Sequence, residues 1–209
     1  MGAKRQDILL GLIRCGETTW EAEARLHGAT DLPLSPEGRA SVCAAIVTLA
    51  TKRFAVVFHP PDEAATDSAH IVAKAVGAKT KAVAELAEPD LGLIDGLTEK
   101  DFAERFPKRH KQWKEDPLSL LPPEGEAFGD AQARIFRACA KILRRSRGDR
   151  TAIVLRPLAL GFVRCWLADR PASDVWVSLS DRPQIEQYLV AQELIESLEQ
   201  AAQVEPLSA

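Results

Sequence analysis

Short apolar segments alternate with helical segments along most of this chain of 209 residues, and no other feature restricts its fold as strongly. Residues Ile8–Ile13 are a nearly continuous apolar run that ends in Arg-Cys-Gly, which is typical of a buried strand before a turn. A helix is predicted from Ser35 to about Ala50, because Ser35 suits its cap and Pro36 its first position. The chain therefore begins with a strand followed by a helix.

The alternation continues along the rest of the chain. Further strands are predicted at Phe54–Phe58, Thr80–Ala84, Thr151–Leu155 and Gln184–Val190, and further helices at Asp62–Val76, Asp130–Arg147 and Leu158–Leu167. Gly77 and Gly148 are placed to end two of these helices. Polar residues in the last strand favour a position at an edge of the sheet. This pattern predicts an α/β fold, a three-layer α/β/α sandwich around a mostly parallel sheet.

One domain is predicted over residues 1–190, because the sequence shows no linker that would separate two domains. Proline and glycine residues interrupt the pattern between residues 85 and 125. This stretch is interpreted as a helical insertion over one end of the sheet, where it would roof a pocket. Residues 191–209 are expected to form a helical or frayed tail.

Composition excludes several classes of protein. Hydrophobic residues make up 46% of the chain and charged residues 27%, the balance of a globular protein in water. No apolar stretch is long enough for a membrane span. Arg14 interrupts the N-terminal apolar run, so we expect no secretion signal there. The net charge of −3 argues against nucleic acid as a partner. The four cysteines are scattered without a CxxC pair, so we expect a cytoplasmic protein with no metal and no cofactor.

Ligands of parallel α/β sheets bind beyond the carboxyl ends of the strands. In this chain the rule directs attention to Arg14, Cys15, His59 and Arg156, which follow predicted strands or end them. Of the four histidines in the chain, His59 is the one expected to reach a pocket at this edge. The alternative is that His59 is a loop histidine without a role.

Three segments near the N-terminus carry a recognisable pattern. Leu12–Trp20 reads LIRCGETTW, Arg25–Gly28 reads RLHG and Asp31–Gly38 reads DLPLSPEG. In order and spacing they resemble the opening of the histidine phosphatase superfamily, which reads roughly L-I-R-H-G-E-T-x-W, R-x-x-G and D-x-P-L-S-x-x-G. Leu86–Gly96 and Pro123–Glu126 resemble later segments of the family. The resemblance implies a phosphoglycerate-mutase-like fold.

The resemblance also implies a site in which one histidine attacks phosphorus, while two arginines and a second histidine neutralise the phosphoryl oxygens. At the matching positions this chain keeps Arg14 as the first arginine and Glu88 as the general acid. Cys15 stands in place of the first histidine, Arg156 in place of the second, and Ala64 in place of the second arginine. Both catalytic histidines of the family pattern are therefore replaced.

The replacements leave alternatives open. Arg156 would either hold an anion with the charge that is lost at Ala64, or fill the vacated pocket in a salt bridge with a carboxylate, Glu21 or Glu88. Glu21 stands where the family has asparagine, and would repel a phosphate dianion if it points into the pocket. Cys15 is either an inert or redox-sensitive thiol or a nucleophile, although the C-x5-R loop of cysteine phosphatases would need an arginine in place of Glu21.

These features predict a degenerate member of the family, a pseudophosphatase that acts as an anion-binding or interaction module. Its partner would be a phosphorylated or otherwise anionic small molecule, with no nucleic acid and no membrane involved, and a homodimer is left open. A divergent phosphohydrolase is the first alternative, with Glu88 as acid and Cys15 or water as nucleophile. A structural subunit is the second.

Overall fold

A computed structural model describes residues 7–49, 54–146, 150–180 and 184–203, and within these ranges the strands form one sheet. The strands are β1 (Ile8–Arg14), β2 (Val56–His59), β3 (Lys79–Ala82), β4 (Arg150–Leu155) and β5 (Ile185–Val190). Their order across the sheet is β3-β2-β4-β1-β5. The neighbouring pairs are parallel except for β1 and β5, which are antiparallel. The mostly parallel sheet and the edge position of the last strand are therefore confirmed.

Helices cover both faces of this sheet. The α-helices of the described ranges are α1 (Thr19–Ala22), α2 (Pro36–Ala45), α3 (Glu63–Val76), α4 (Glu99–Arg105), α5 (Pro107–Glu115), α6 (Phe128–Arg145), α7 (Pro157–Leu167), α8 (Val175–Leu179) and α9 (Gln192–Ala201). Short 3-10 helices lie at Ile46–Leu49, Ala84–Leu86, Gly92–Ile94, Pro117–Ser119 and Ala172–Asp174.

Two apolar clusters lie on opposite faces of the sheet, because side chains alternate along a strand. Leu10 and Leu12 of β1 belong to the larger cluster, which includes residues of α6, α7 and α9. Ile13 belongs to the smaller cluster, which α2 and α3 complete. The chain is thus a three-layer α/β/α sandwich, as the alternation of strands and helices predicts.

Side-chain caps start two helices where the sequence predicts them. Ser35 Oγ accepts a hydrogen bond from the Gly38 N–H at 2.9 Å, and the Asp62 carboxylate accepts one from the Ala65 N–H at 3.0 Å. Gly77 ends α3 in the left-handed conformation with φ of 68°, which glycine adopts without strain. The other predicted terminator, Gly148, lies outside the described residues.

Element ends differ from the sequence prediction by a few residues. The predicted helix to Ala50 becomes α-helical only to Ala45 and then continues as a 3-10 helix to Leu49, and Ala50 lies outside the described residues. β2 begins at Val56 rather than at Phe54. The ring of Phe54 instead packs against β1, where a Cβ on Gly11 would lie 2.9 Å from it. Packing across the sheet, rather than hydrophobicity along the chain, sets this boundary.

Residues 85–125 consist of α4, α5 and short 3-10 helices joined by turns. Phe102 and Trp113 anchor this stretch in the larger apolar cluster. At the other end of the chain, Ile195 and Leu198 bury one face of α9 in the same cluster, so the helix that follows β5 packs on the body of the fold. The domain boundary at residue 190 stays a prediction. Of the helices in the described ranges, none is both long and apolar enough to cross a membrane.

Candidate active site

The carboxyl ends of β1 and β4 lie side by side. The two strands are paired, with Arg14 opposite Leu155. Cys15 follows β1 and donates its backbone N–H to the Leu155 carbonyl at 2.8 Å. Arg156 follows β4 and directly precedes α7. The sheet thus brings together Cys15 and Arg156, two of the residues that the sequence analysis singles out.

The Arg156 side chain is buried, with 1% of its surface exposed. Its Nη2 lies 2.5 Å from His27 Nδ1 and 3.9 Å from Glu21 Oε2. Within the described residues its Nε has no hydrogen-bond partner. The guanidinium therefore points into the fold, and Glu21 lies close enough to act as its counter-charge.

Glu21 is held in place by the start of α1. Its Oε2 accepts hydrogen bonds from the Thr18 backbone N–H and hydroxyl, both at 2.9 Å, which forms a capping box. Burial alone would raise the pKa of Glu21, but the His27 ring, the charge of Arg156 and the bonds from Thr18 together lower it to about 2. The Glu21 carboxylate is therefore ionised at neutral pH and faces the guanidinium of Arg156.

His27, rather than His59, is the histidine in contact with the candidate site. Its Nε2 lies 2.7 Å from the carbonyl oxygen of Thr30, and because a carbonyl can only accept, Nε2 donates this hydrogen bond. Its Nδ1 faces the Thr18 hydroxyl at 2.8 Å and the Arg156 guanidinium. The prediction that His59 alone would reach the pocket is wrong, because His27, in the loop after α1, contacts Arg156.

Glu88 is buried at the N-terminus of α7. Its two carboxylate oxygens accept hydrogen bonds from the backbone N–H groups of Leu158 at 2.6 Å and Ala159 at 2.9 Å. Burial raises its pKa to about 7, although the charge of Arg156 and the two backbone hydrogen bonds oppose this shift. A helix N-terminus is a ready site for an anion, and at α7 the protein's own carboxylate takes that position.

Cys15 is a buried thiol, with 3% of its surface exposed. Its Sγ lies 3.5 Å from Ser68 Oγ. Ser68 Oγ also accepts a hydrogen bond from the Gly16 N–H at 3.1 Å and donates to the Ala64 carbonyl at 2.8 Å. Because of burial, the pKa of Cys15 rises to about 12. The thiol is therefore protonated at neutral pH, and Ser68 is a neighbour that the sequence analysis missed.

Within the described residues, Ala64, His59 and Arg14 make no side-chain hydrogen bond or ion pair with Arg156. Ala64 is fully buried in α3, within the smaller apolar cluster. His59 Nδ1 lies 2.7 Å from the Pro60 carbonyl, and burial lowers the pKa of this histidine. Arg14 is half-buried, and within the described residues its guanidinium makes no hydrogen bond or ion pair.

A cavity of about 300 Å³ opens beside Glu88 and Arg156. It is lined by Gly28, Ala29, Asp31, Pro61, Asp62, Ala87, Glu88 and Arg156. Three of these residues are carboxylic acids and one is a cation, so negative charge prevails in the lining. No group of three or more potential metal ligands converges anywhere in the described ranges.

Comparison with known protein families identifies the superfamily of the chain. A model of the histidine phosphatase superfamily, branch 1, matches residues 10–183. The chain belongs to this superfamily. Among curated relatives, a protein of Mycobacterium tuberculosis described as bifunctional is 32% identical over 154 residues, which are 73% of this chain but 42% of the relative. The chain thus matches less than half the length of that relative. A probable phosphoglycerate mutase of Klebsiella pneumoniae is 27% identical over 77% of this chain and 75% of the relative.

Solved structures of the superfamily have the same fold. A protein of Bacillus stearothermophilus superimposes with a TM-score of 0.76 at 24% identity, covering 88% of this chain and 96% of that one. The α-ribazole phosphatase of Shigella flexneri superimposes with a TM-score of 0.77 at 22% identity, covering 88% and 92%. Because these sequence identities are below 25%, the structural similarity establishes only that this chain has the same α/β fold.

Proposed function

We propose that this protein is a non-catalytic member of the histidine phosphatase superfamily, a pseudophosphatase in which the protein's own side chains engage the cation of the former catalytic site. The observation that carries the proposal is the pair of residues at the ends of β1 and β4. Cys15 and Arg156 stand where the family pattern has its two histidines, and both side chains are buried. Neither side chain is an imidazole, so Cys15 lacks the neutral imidazole that attacks phosphorus in the family pattern.

Cys15 is a poor substitute for a nucleophilic histidine. A thiol attacks as its thiolate, and with a pKa of about 12 the thiolate fraction at pH 7 is on the order of one in 10⁵. The charge of Arg156 favours the thiolate, but burial outweighs it. The Ser68 hydroxyl and the apolar cluster around Cys15 also restrict the approach of a phosphate ester.

The carboxylates around Arg156 argue against the binding of an anion at this site, and favour a role for Arg156 in stabilising the fold. Arg156 is already balanced by Glu21, and Glu88 occupies the N-terminus of α7. A phosphate dianion entering the cavity would also meet Asp31 and Asp62, whose charges repel it. Relatives whose names identify substrates, such as the metal-independent phosphoserine phosphatase of Arabidopsis thaliana, act on phosphorylated small molecules. Such compounds are therefore the substrates to test.

A phosphohydrolase that uses an activated water is the second candidate. Its support is Glu88, because a carboxyl group with a pKa of about 7 is matched to proton transfer at neutral pH. Both Glu88 oxygens are engaged by backbone N–H groups of α7, which weakens this candidate but leaves it testable by the same assay.

We expect the purified protein to release no phosphate from p-nitrophenyl phosphate, 3-phosphoglycerate or phosphoserine above the level of a buffer control. The physical reason is that Cys15 stands in place of the nucleophilic histidine and its thiol is protonated at the pH values of the assay. Release of inorganic phosphate is measured at pH 5.5, 7 and 8.5, with the wild type compared with Cys15→Ala and Glu88→Gln.

The two variants separate the candidates. Turnover that disappears in Cys15→Ala would make this thiol a nucleophile and overturn the proposal. Turnover that survives in Cys15→Ala and disappears in Glu88→Gln would instead establish the water-based phosphohydrolase. Equal background in all three proteins is the expected result.

Thiol accessibility gives an independent prediction. Of the four cysteines, Cys43 is exposed, whereas Cys15, Cys139 and Cys165 are buried. Titration of the native protein with a chromogenic disulfide reagent at pH 8 should therefore detect one reactive thiol, and four after unfolding in guanidinium. The variant Cys43→Ser should show none in the native state. A second fast thiol that is lost in Cys15→Ala would contradict the inert role of Cys15.

A further inference from the structure

A second and larger cavity lies away from the carboxyl edge of the sheet, between α6 and the strands β2 and β3. Its volume is about 710 Å³. Its apolar surface includes Val56 and Phe58 of β2, Val83 after β3, and Ala138 and Ile142 of α6. Phe58 and Val83 are only partly buried against the larger apolar cluster. This part of the sheet face is therefore only partly covered by the described residues. We refer to the cavity as the α6 cleft.

Positive charge is concentrated around the α6 cleft. Its lining contains the five cations Lys81, Arg134, Arg137, Lys141 and Arg145, and one carboxylate, Glu85. The chain as a whole has a net charge of −3, so this concentration is local. Four of the cations belong to α6 and recur every three or four residues, which places them on one face of the helix.

Two of these cations form hydrogen bonds within the protein, and three others are exposed to solvent without an ion pair in the described part of the chain. Arg134 binds the Glu126 carboxylate through Nε at 2.9 Å and Nη2 at 2.6 Å, and Arg137 Nη1 donates to the Ala202 carbonyl at 3.0 Å. Lys81, Lys141 and Arg145 are exposed, and none of them forms an ion pair within the described ranges. These three therefore remain available to a ligand.

We propose that the α6 cleft binds a small anionic molecule with an apolar body. An aromatic ring or short hydrocarbon chain contacts Val56, Phe58 and Ile142, and a phosphate, carboxylate or sulfonate group binds Lys81 and Lys141. The cavity volume lies within the range of sites for small molecules, which combine an apolar lining with a few converging polar groups. The proposal is independent of the catalytic pocket, because it involves no residue at the carboxyl ends of β1 and β4.

The probe for this test is 8-anilinonaphthalene-1-sulfonate, which combines an aromatic body with one sulfonate and fluoresces when its rings leave water. We expect saturable binding at one site of the 209-residue chain. The double variant Lys81→Gln, Lys141→Gln should weaken binding about tenfold, since two charge-assisted contacts are lost. The matched control is Lys74→Gln, an exposed helical lysine of α3 on the opposite face of the sheet, and it should bind the probe as the wild type does.

Competition experiments with two further compounds identify the chemical class of the ligand. Displacement of the probe by phenyl phosphate is compared with displacement by benzoate, which has the same ring, and this decides whether the anionic group is a phosphate or a carboxylate. Absence of probe binding to the wild type, or equal affinity in the double variant and the Lys74→Gln control, would overturn the proposal. So would sedimentation showing a dimer that Arg145→Glu dissociates, because the cleft would then be an interface between two copies of the chain.

Discussion

Replacing Glu21 by glutamine should lower the free energy of unfolding by about 3 kcal/mol, because it leaves a buried cation without its counter-charge. Arg156 is 1% exposed and lies 3.9 Å from Glu21 Oε2. Glutamine at position 21 can still complete the capping box with Thr18, so the loss reports the charge rather than the helix start. Urea denaturation at pH 7.5 gives the free energy directly.

A double-mutant cycle provides the control for the Glu21 prediction. Arg156→Met keeps much of the side-chain volume and removes the guanidinium, so the Glu21 carboxylate no longer has a cation to balance. The pair Glu21→Gln, Arg156→Met should be more stable than Glu21→Gln alone, with a coupling free energy of about 2 kcal/mol. Additive losses would show that the two side chains are neighbours without significant interaction, and that the burial of Arg156 needs another explanation.

The layered fold was predictable because each buried strand is a separate apolar run. Ile8–Ile13 and Thr151–Leu155 were placed within a residue or two of β1 and β4, the two strands that build the site. The short helices α1 and α8, of 4 and 5 residues, were missed because neither is long enough to show a helical period. The helix α1 begins with the local capping box of Thr18 and Glu21, whereas α8 is held by a tertiary contact, the hydrogen bond from Trp176 Nε1 to the Trp113 carbonyl.

The site was predictable where it follows a motif and unpredictable where it depends on a distant contact. Motif spacing singled out Cys15, Glu88 and Arg156, which the structure places around one sheet edge. His27 was missed, although it lies inside the R-x-x-G segment. Its loop is held by Asp95, whose carboxylate accepts a hydrogen bond from the Gly28 N–H at 2.6 Å. That contact spans 67 positions in sequence, and no local pattern reports it.

Glu88 should make the protein less stable as the pH rises from 5 to 8. In the unfolded chain this carboxyl ionises near its ordinary pKa of 4.5, whereas burial in the folded state raises the pKa to about 7. Between these two values the folded state holds a proton that the unfolded state has released, so stability falls with rising pH. The shift corresponds to a loss of about 2 to 3 kcal/mol by pH 8.

Glu21 and His59 also have shifted pKa values, so they too change the stability of the protein with pH. The pKa of Glu21 is lowered to about 2, so its stabilising contribution is complete above pH 5 and is lost only in stronger acid. Burial lowers the pKa of His59, so this group adds stability as the pH rises towards 6.5, opposite in sign to Glu88. The effect of Glu88 must therefore be taken as a difference between variants.

Glu88→Gln should abolish most of the decline, because glutamine has no proton to release. Denaturation of the wild type and of Glu88→Gln at pH 5, 6, 7 and 8 gives the difference at each pH. The matched control is Glu85→Gln, an exposed carboxyl of the same segment, which should retain the wild-type decline. A Glu88→Gln variant that loses stability with pH as steeply as the wild type would mean that Glu88 is ionised throughout, and that its bonds to the α7 backbone outweigh its burial.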